Sequence, residues 1–221
     1  MSNFKPQIKK TIYLLRHGQS IDNISPVFQS EISPLSKTGL QQAEKIATRV
    51  SQISFDQLIV SPLTRTKQTA EIITKVTGKE AEYSDLFVER IKPKYIGGKP
   101  YTDDKANEIW RNWEISLYKK GMRVEDGENY DDIIARADNA LDFLKSRKEK
   151  SIVVVTHGFF LRTIVIRVLL GEQITGETYK NMLRAMLMEN TGLTVLHLRD
   201  SFEEEFAWRL WVYNDHAHLA G

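Results

Sequence analysis

Three stretches of this chain share one pattern, a short aliphatic run that breaks into a polar turn. "TIYLL" runs into Arg16-His17-Gly18, "DQLIV" into Ser61-Pro62, and "SIVVV" into Thr156-His157-Gly158. Short, continuous apolar runs rich in β-branched residues predict strands covered on both faces, the habit of parallel sheets. Between them the apolar spacing becomes helical. "TGLQQAEKIATRVSQ" sets Leu40, Ala43, Ala47 and Val50 on one stripe, and "LTRTKQTAEIITKV" repeats the pattern. "NYDDIIARADNALDFLKSRK" adds acids early and bases late, which suits a helix dipole. Strand–helix alternation predicts an α/β fold. We expect a three-layer sandwich whose mixed, mostly parallel sheet has about six strands, with helices on both faces. "GLTVLHLRD" and "FAWRLWVYND" predict an antiparallel pair turning through Glu203, Glu204 and Glu205.

At 221 residues the chain suits a single domain over 1–221. Residues of roughly 90–128 read as a small cap insertion. "RIKPKYIGGKPYTDD" has a loop composition, and "ANEIWRNWEISLYKKG" behind it spaces Ile109, Trp113 and Leu117 as a packing stripe. Lys+Arg 31 against Asp+Glu 29 leaves +2, a balance that does not favour nucleic acid as partner. The absence of cysteine excludes thiolate metal sites and cysteine nucleophiles, and it fits a cytoplasmic location. "MSNFKPQIKK" lacks the apolar core of a secretory signal. "GFFLRTIVIRVLLG" is short, carries Arg162 and Arg167, and reads as a core helix, so no membrane partner is expected.

In open α/β sheets ligands sit beyond the carboxyl ends of the parallel strands. Those ends carry Arg16 with His17, Ser61 leading to Arg65, and His157. If the strands are neighbours, two arginines and two histidines converge. Such a cluster calls for a multiply charged anion, and phosphate matches the arginine fork. Gly18 and Gly158 each follow a histidine, where a missing side chain lets backbone N–H groups approach an anion. An imidazole among arginines resists protonation and keeps a ring nitrogen free as a nucleophile. His216 and His218 form an H-x-H pair that without cysteine carries no metal, and His197 reads as a structural histidine in a strand.

"LLRHGQSIDN" resembles the signature of the histidine phosphatase superfamily, the phosphoglycerate mutase-like proteins. Arg16, His17, Gly18, Ser20 and Asn23 match its Arg-His-Gly-x-Thr/Ser-x-x-Asn pattern. "LSKTGLQQA", "SPLTRTKQTAEII", "DGENYDDIIAR", "VVVTHGFFLR", "NTGLTVL" and "YNDHAHL" resemble further blocks of that family in the right order, with Asn129 in place of a serine. The resemblance implies that His17 attacks phosphorus and forms a phosphohistidine that water hydrolyses. It implies phosphate binding by Arg16, Asn23, Arg65, His157 and Gly158, and no metal or other cofactor. It further implies an acid for the leaving oxygen, and Glu89, 24 positions after Arg65, stands at the matching place. Glu82, Asp85, Asp103 and Asp104 compete for that role.

The expected function is a phosphatase acting on small phosphorylated metabolites, its substrate and oligomeric state left open. The alternatives are a cofactor-dependent phosphoglycerate mutase and a non-catalytic phosphate-binding protein on the same fold. The mutases continue the acid block as Glu-Arg-His-Tyr-Gly, whereas Ile91, Lys92 and Pro93 follow Arg90 here. Lys92, Lys94 and Lys99 are candidates for reading a second acidic group, or else ordinary solvated lysines.

Overall fold

The computed structural model describes residues 7–200 and 207–220. A six-stranded sheet runs in the order β3-β2-β4-β1-β5-β6. Its strands are β1 (Ile8–Arg16), β2 (Gln57–Val60), β3 (Ala81–Tyr83), β4 (Ser151–Thr156), β5 (Leu193–Arg199) and β6 (Trp208–Asp215). The first four are mutually parallel, while β5 is antiparallel to β1 and β6 antiparallel to β5. The mixed sheet expected from the sequence is therefore present, including the closing antiparallel pair. The acidic turn through Glu203, Glu204 and Glu205 lies outside the described residues, as do the first six positions.

Side-chain alternation along the strands feeds two cores. Ile12, Leu14, Ile59, Ile152 and Val154 pack with α4 (Tyr130–Ser146) and α5 (Gly158–Leu170) on one face. Leu15, Leu58, Val60, Val153 and Val155 pack with α1 (Lys37–Val50) and α2 (Thr64–Thr77) on the other. These two layers of helix enclose the sheet, and "GFFLRTIVIRVLLG" forms the core helix α5 rather than a membrane span. No helix among the described residues is long and apolar enough to cross a membrane.

α3 (Asp104–Ser116) buries Ile109 and Trp113, and Leu117 follows them into the interior. With Phe28, Ile96 and Ala106, two of these residues make a third apolar cluster. α4 starts with a reciprocal capping box. The Asn129 side chain accepts from Asp132 N–H at 3.0 Å, and the Asp132 carboxylate accepts from Asn129 N–H at 3.1 Å. Asparagine thus fills the serine's place without loss of the cap.

Two elements have no counterpart in the sequence reading. β3 is three residues of polar edge strand, Ala-Glu-Tyr, too short to show a period. α6 (Gly176–Ala185) buries only Tyr179 and Leu183, a stripe too narrow to stand out among polar neighbours.

Candidate active site

Strand register assembles the site. Arg16 pairs with Thr156 across β1 and β4, and Val60 pairs with Val155 across β2 and β4. The three ends therefore lie side by side, and His17 N–H donates to Thr156 O at 3.0 Å. His17 and His157 are 1% and 0% exposed, with ring centroids 5.1 Å apart. Arg65, in the first turn of α2, is 1% exposed. An arginine in an amphipathic helix usually faces water; this one faces the nucleophile candidate.

The ring of His17 has a defined tautomer. Nδ1 lies 2.6 Å from Gly18 O, which only accepts, so Nδ1 carries the proton. Nε2 keeps its lone pair, and Arg65 Nε–H donates to it at 3.1 Å. Burial, then Arg65 and Arg16, pushes the His17 pKa well below the ordinary value. Burial and Arg65 do the same to His157. Arg65 itself is lowered by burial to about 10, still a cation at neutral pH. His157 Nε2 lies 2.8 Å from Ser61 Oγ, a contact that sequence reasoning overlooked although it had placed both residues at strand ends.

Four buried side-chain polar atoms among the described residues have no protein partner, and two of them are Arg16 Nε and His157 Nδ1. Both belong to the histidine–arginine cluster. When Ser61 donates to His157 Nε2, His157 Nδ1 becomes a donor like Arg16 Nε. Buried donors without partners are costly in a folded protein, and phosphoryl oxygens can satisfy both.

The two glycines serve different ends. A Cβ on Gly158 would stand 3.0 Å from Arg16 Nε, so its absence is what lets the guanidinium lie against α5. Gly18 departs from expectation. Its N–H donates to Thr69 Oγ1 at 3.2 Å, and a Cβ there would meet Gly39 O at 2.4 Å. Gly18 allows the loop to lie against α1; its amide is not an anion donor. Asn23 joins none of the contacts around the histidines. It is exposed, and its Oδ1 accepts from Ser20 N–H at 2.9 Å.

Glu89 lines a cavity of ≈ 650 Å³ together with Arg65, Asp85, Lys92 and Arg136, against the apolar wall of Leu63, Leu86 and Val88. Its Oε1 accepts from Arg90 and Phe160 N–H, both at 3.1 Å, and its Oε2 from Phe159 N–H at 3.3 Å. The first turn of α5 thus directs its free N–H groups at a carboxylate. Of the rival acids, only Asp85 lines this cavity. Glu82 pairs with Arg147, Asp103 caps α3 and Asp104 sits in the first turn of α3.

The segment bearing Glu89 is held by two arginines whose role was missed from the sequence. Arg136 grips Glu128 with two bonds of 2.7 Å and donates to the carbonyls of Leu86, Val88 and Glu89. Arg90 is buried over the Trp113 ring at 3.5 Å and donates to Glu114 at 3.0 Å and to Glu128 O. In the sequence Arg136 stands eight positions after Glu128, across the helix start at Asn129, while Arg90 stands directly after Glu89.

Lys92 lines both this cavity and an adjoining one of ≈ 540 Å³. Lys94 instead pairs with Asp126, and Lys99 lies over Tyr95. His197 is buried in β5, stacked on Trp211 at 5.3 Å. No cluster of three potential metal ligands occurs among the described residues.

Two buried histidines flanked by arginines stand at the carboxyl ends of parallel strands, an arrangement whose charge suits a phosphoryl group. The chain belongs to the histidine phosphatase superfamily, branch 1, whose family model matches residues 12–212. It is 27% identical over 213 residues to the probable phosphoglycerate mutase GpmB of Escherichia coli, covering 94% of each chain. Among solved structures it resembles a phosphoserine phosphatase mutant from Entamoeba histolytica in complex with phosphoserine. That match has a TM-score of 0.74 and 23% identity, over 95% of this chain and 99% of the other. It also resembles a mycobacterial glucosyl-3-phosphoglycerate phosphatase, with a TM-score of 0.71 and 20% identity over 93% and 98%.

Proposed function

We propose that this protein is a phosphatase of small phosphomonoesters that works through a phosphohistidine at His17 Nε2. The observation that carries the reading is the pair of buried donors in the histidine–arginine cluster, Arg16 Nε and His157 Nδ1, that no protein atom satisfies. In the resting state Arg65 covers the Nε2 lone pair; an incoming phosphoryl group takes over that N–H and exposes the lone pair to phosphorus. Nε2 then forms the P–N bond as the P–O bond to the alcohol breaks. Glu89 serves as the general acid that delivers a proton to the departing oxygen. The Gly18 carbonyl, on the Nδ1 proton, steadies the positive charge of the phosphorylated ring. Water next attacks phosphorus and loses its proton to Glu89, and the P–N bond breaks to release phosphate. Arg16, Arg65 and His157 hold the equatorial oxygens throughout. The two arginines supply the positive charge, so we expect turnover without a divalent metal.

Residues 90–128 act in this reading as a cap on a single domain, and Lys92 is the cap residue that meets the substrate. Among the described residues its ammonium has no hydrogen-bond or ion-pair partner, and burial lowers its pKa. A second anionic group on the substrate would supply that partner. The mutase reading draws on the Escherichia coli relative, but Ile91, Lys92 and Pro93 after Arg90 weigh against it.

The test is p-nitrophenyl phosphate hydrolysis in EDTA, wild type beside His17→Ala. Turnover in the wild type that vanishes in the variant is the expected result. Activity that survives in His17→Ala, or that requires added metal, overturns the mechanism. Net interconversion of phosphoglycerates faster than their hydrolysis would favour the mutase.

A further inference from the structure

The paired histidines near the C-terminus take no part in the site described above, yet one of them is wired to it. His218 Nδ1 lies 3.4 Å from Arg49 Nη1, and its Nε2 lies 2.9 Å from Thr191 Oγ1. A guanidinium only donates, so Nδ1 accepts and the proton sits on Nε2, which donates to the Thr191 hydroxyl. That hydroxyl in turn donates a hydrogen bond to Asn190 O at 2.6 Å. Behind His218, Arg49 is ion-paired to Asp215. The chain of contacts therefore runs from Asp215 through Arg49 and His218 to Thr191.

Thr191 is fully buried with φ at 59°, a left-handed backbone that a β-branched residue adopts only when its surroundings hold it there. In that conformation its N–H donates to Arg16 O at 3.0 Å and lies 3.3 Å from His17 O. The neighbouring Asn190 Nδ2 reaches His17 O at 3.0 Å. The backbone of the Arg16-His17 pair is thus clasped by residues 190 and 191, and the hydroxyl that orients residue 191 is anchored on His218.

We propose that His218 is a positioning residue for the nucleophile, acting through Thr191 on the main chain of Arg16 and His17. The proposal rests on the reading of His17 as the nucleophile. A strand end has no further ladder to hold it, and small displacements of a nucleophile cost large factors in rate. The groups facing His218 are Arg49, Asp215, His216 and Lys45; burial and Arg49 lower its pKa to about 4. It therefore remains a neutral Nε2–H donor at physiological pH. His216 is exposed, with Nδ1 on Asn214 O, and has no such link.

The experiment compares His218→Leu, His218→Gln and Thr191→Val with wild type, using p-nitrophenyl phosphate turnover and the side-chain ¹⁵N resonances of His17. We expect kcat to fall about tenfold in His218→Leu with KM changed by less than about twofold. Glutamine, whose amide nitrogen can replace Nε2–H, should restore most of kcat. Thr191→Val keeps the side-chain shape and should repeat the leucine result, which covers the case of a leucine variant that fails to fold. An unchanged kcat in both His218→Leu and Thr191→Val overturns the proposal, as does an equal loss in the glutamine and leucine variants. The His17 resonances need no turnover: they should shift in His218→Leu and return in His218→Gln. Resonances that stay in place overturn the positioning role even if the wild type hydrolyses nothing, a failure that would fall on the proposed function alone.

Discussion

At the scale of single residues, what distinguishes this site is how the protons are placed. His17 has one nitrogen committed to a carbonyl and the other left with a lone pair, so in the proposed mechanism the attacking atom is set before any substrate arrives. Glu89 lines the cavity beside Arg65, its carboxylate held on three backbone donors. If it protonates the leaving oxygen, Glu89→Gln should slow p-nitrophenyl phosphate least, by about tenfold, and alkyl phosphates by about a hundredfold or more. An equal loss across leaving groups would assign the residue to holding α5 instead. For Lys92, the measurement is kcat/KM of Lys92→Met on phosphoserine and on p-nitrophenyl phosphate. A loss of about tenfold or more confined to phosphoserine supports recognition of a second anion, since charge-assisted contacts are worth about 1.5–3 kcal/mol. A matching loss on both substrates would show that Lys92 binds the phosphoryl group.

At the scale of elements, the loop after β1 and the start of α1 approach so closely that neither can carry a side chain at the crossing. A Cβ on Gly39 would lie 1.9 Å from Gln19 O, and one on Gly18 would lie 2.4 Å from Gly39 O. Ser36, the cap of α1, donates its hydroxyl to Gln19 Oε1 and its N–H to Gln19 O, which locks the two segments. Gly39→Ala should therefore destabilise the protein. Overpacking against backbone costs about 1–3 kcal/mol, whereas alanine's helix propensity returns only about 1 kcal/mol. The urea midpoint checks this, and a midpoint at or above wild type would show that the loop moves aside freely.

At the scale of the whole molecule, burying two neutral histidines makes stability depend on pH. Both His17 and His157 have pKa values pushed well below the ordinary one by burial and nearby arginines. Below about pH 6.5 the unfolded chain takes up protons at these positions that the folded chain refuses. Stability is then fully present above that pH and falls as pH drops, by at most about 1.4 kcal/mol per unit for each histidine. Asp215, lowered to about 2 by Arg49, adds a loss of the same sign at more acid pH. Urea midpoints measured between about pH 7 and pH 5 should decline steadily. A flat profile would mean that the histidines accept protons within the fold.

Much of this was legible in the chain, because local patterns carry it. Alternation of apolar runs with helical stripes sufficed for the α/β class, and five of the six strands announced themselves by composition. The ordered motifs pointed to His17, His157, Arg16, Arg65 and Glu89. β3 and α6 escaped because a three-residue edge strand and a helix with two buried residues leave almost no period in the sequence. Only the tertiary structure decided which strand ends are neighbours, since the order β2-β4-β1 is set by how helices pack across both faces. It alone turned Gly18 from an anion donor into a packing contact and left Asn23 apart from the histidines. It joined His218 to Thr191 across 27 positions, and Arg136 to the Glu89 backbone across 47. Contacts between residues so far apart in sequence leave no local pattern, and they arise only when the folded chain brings the groups within hydrogen-bonding distance.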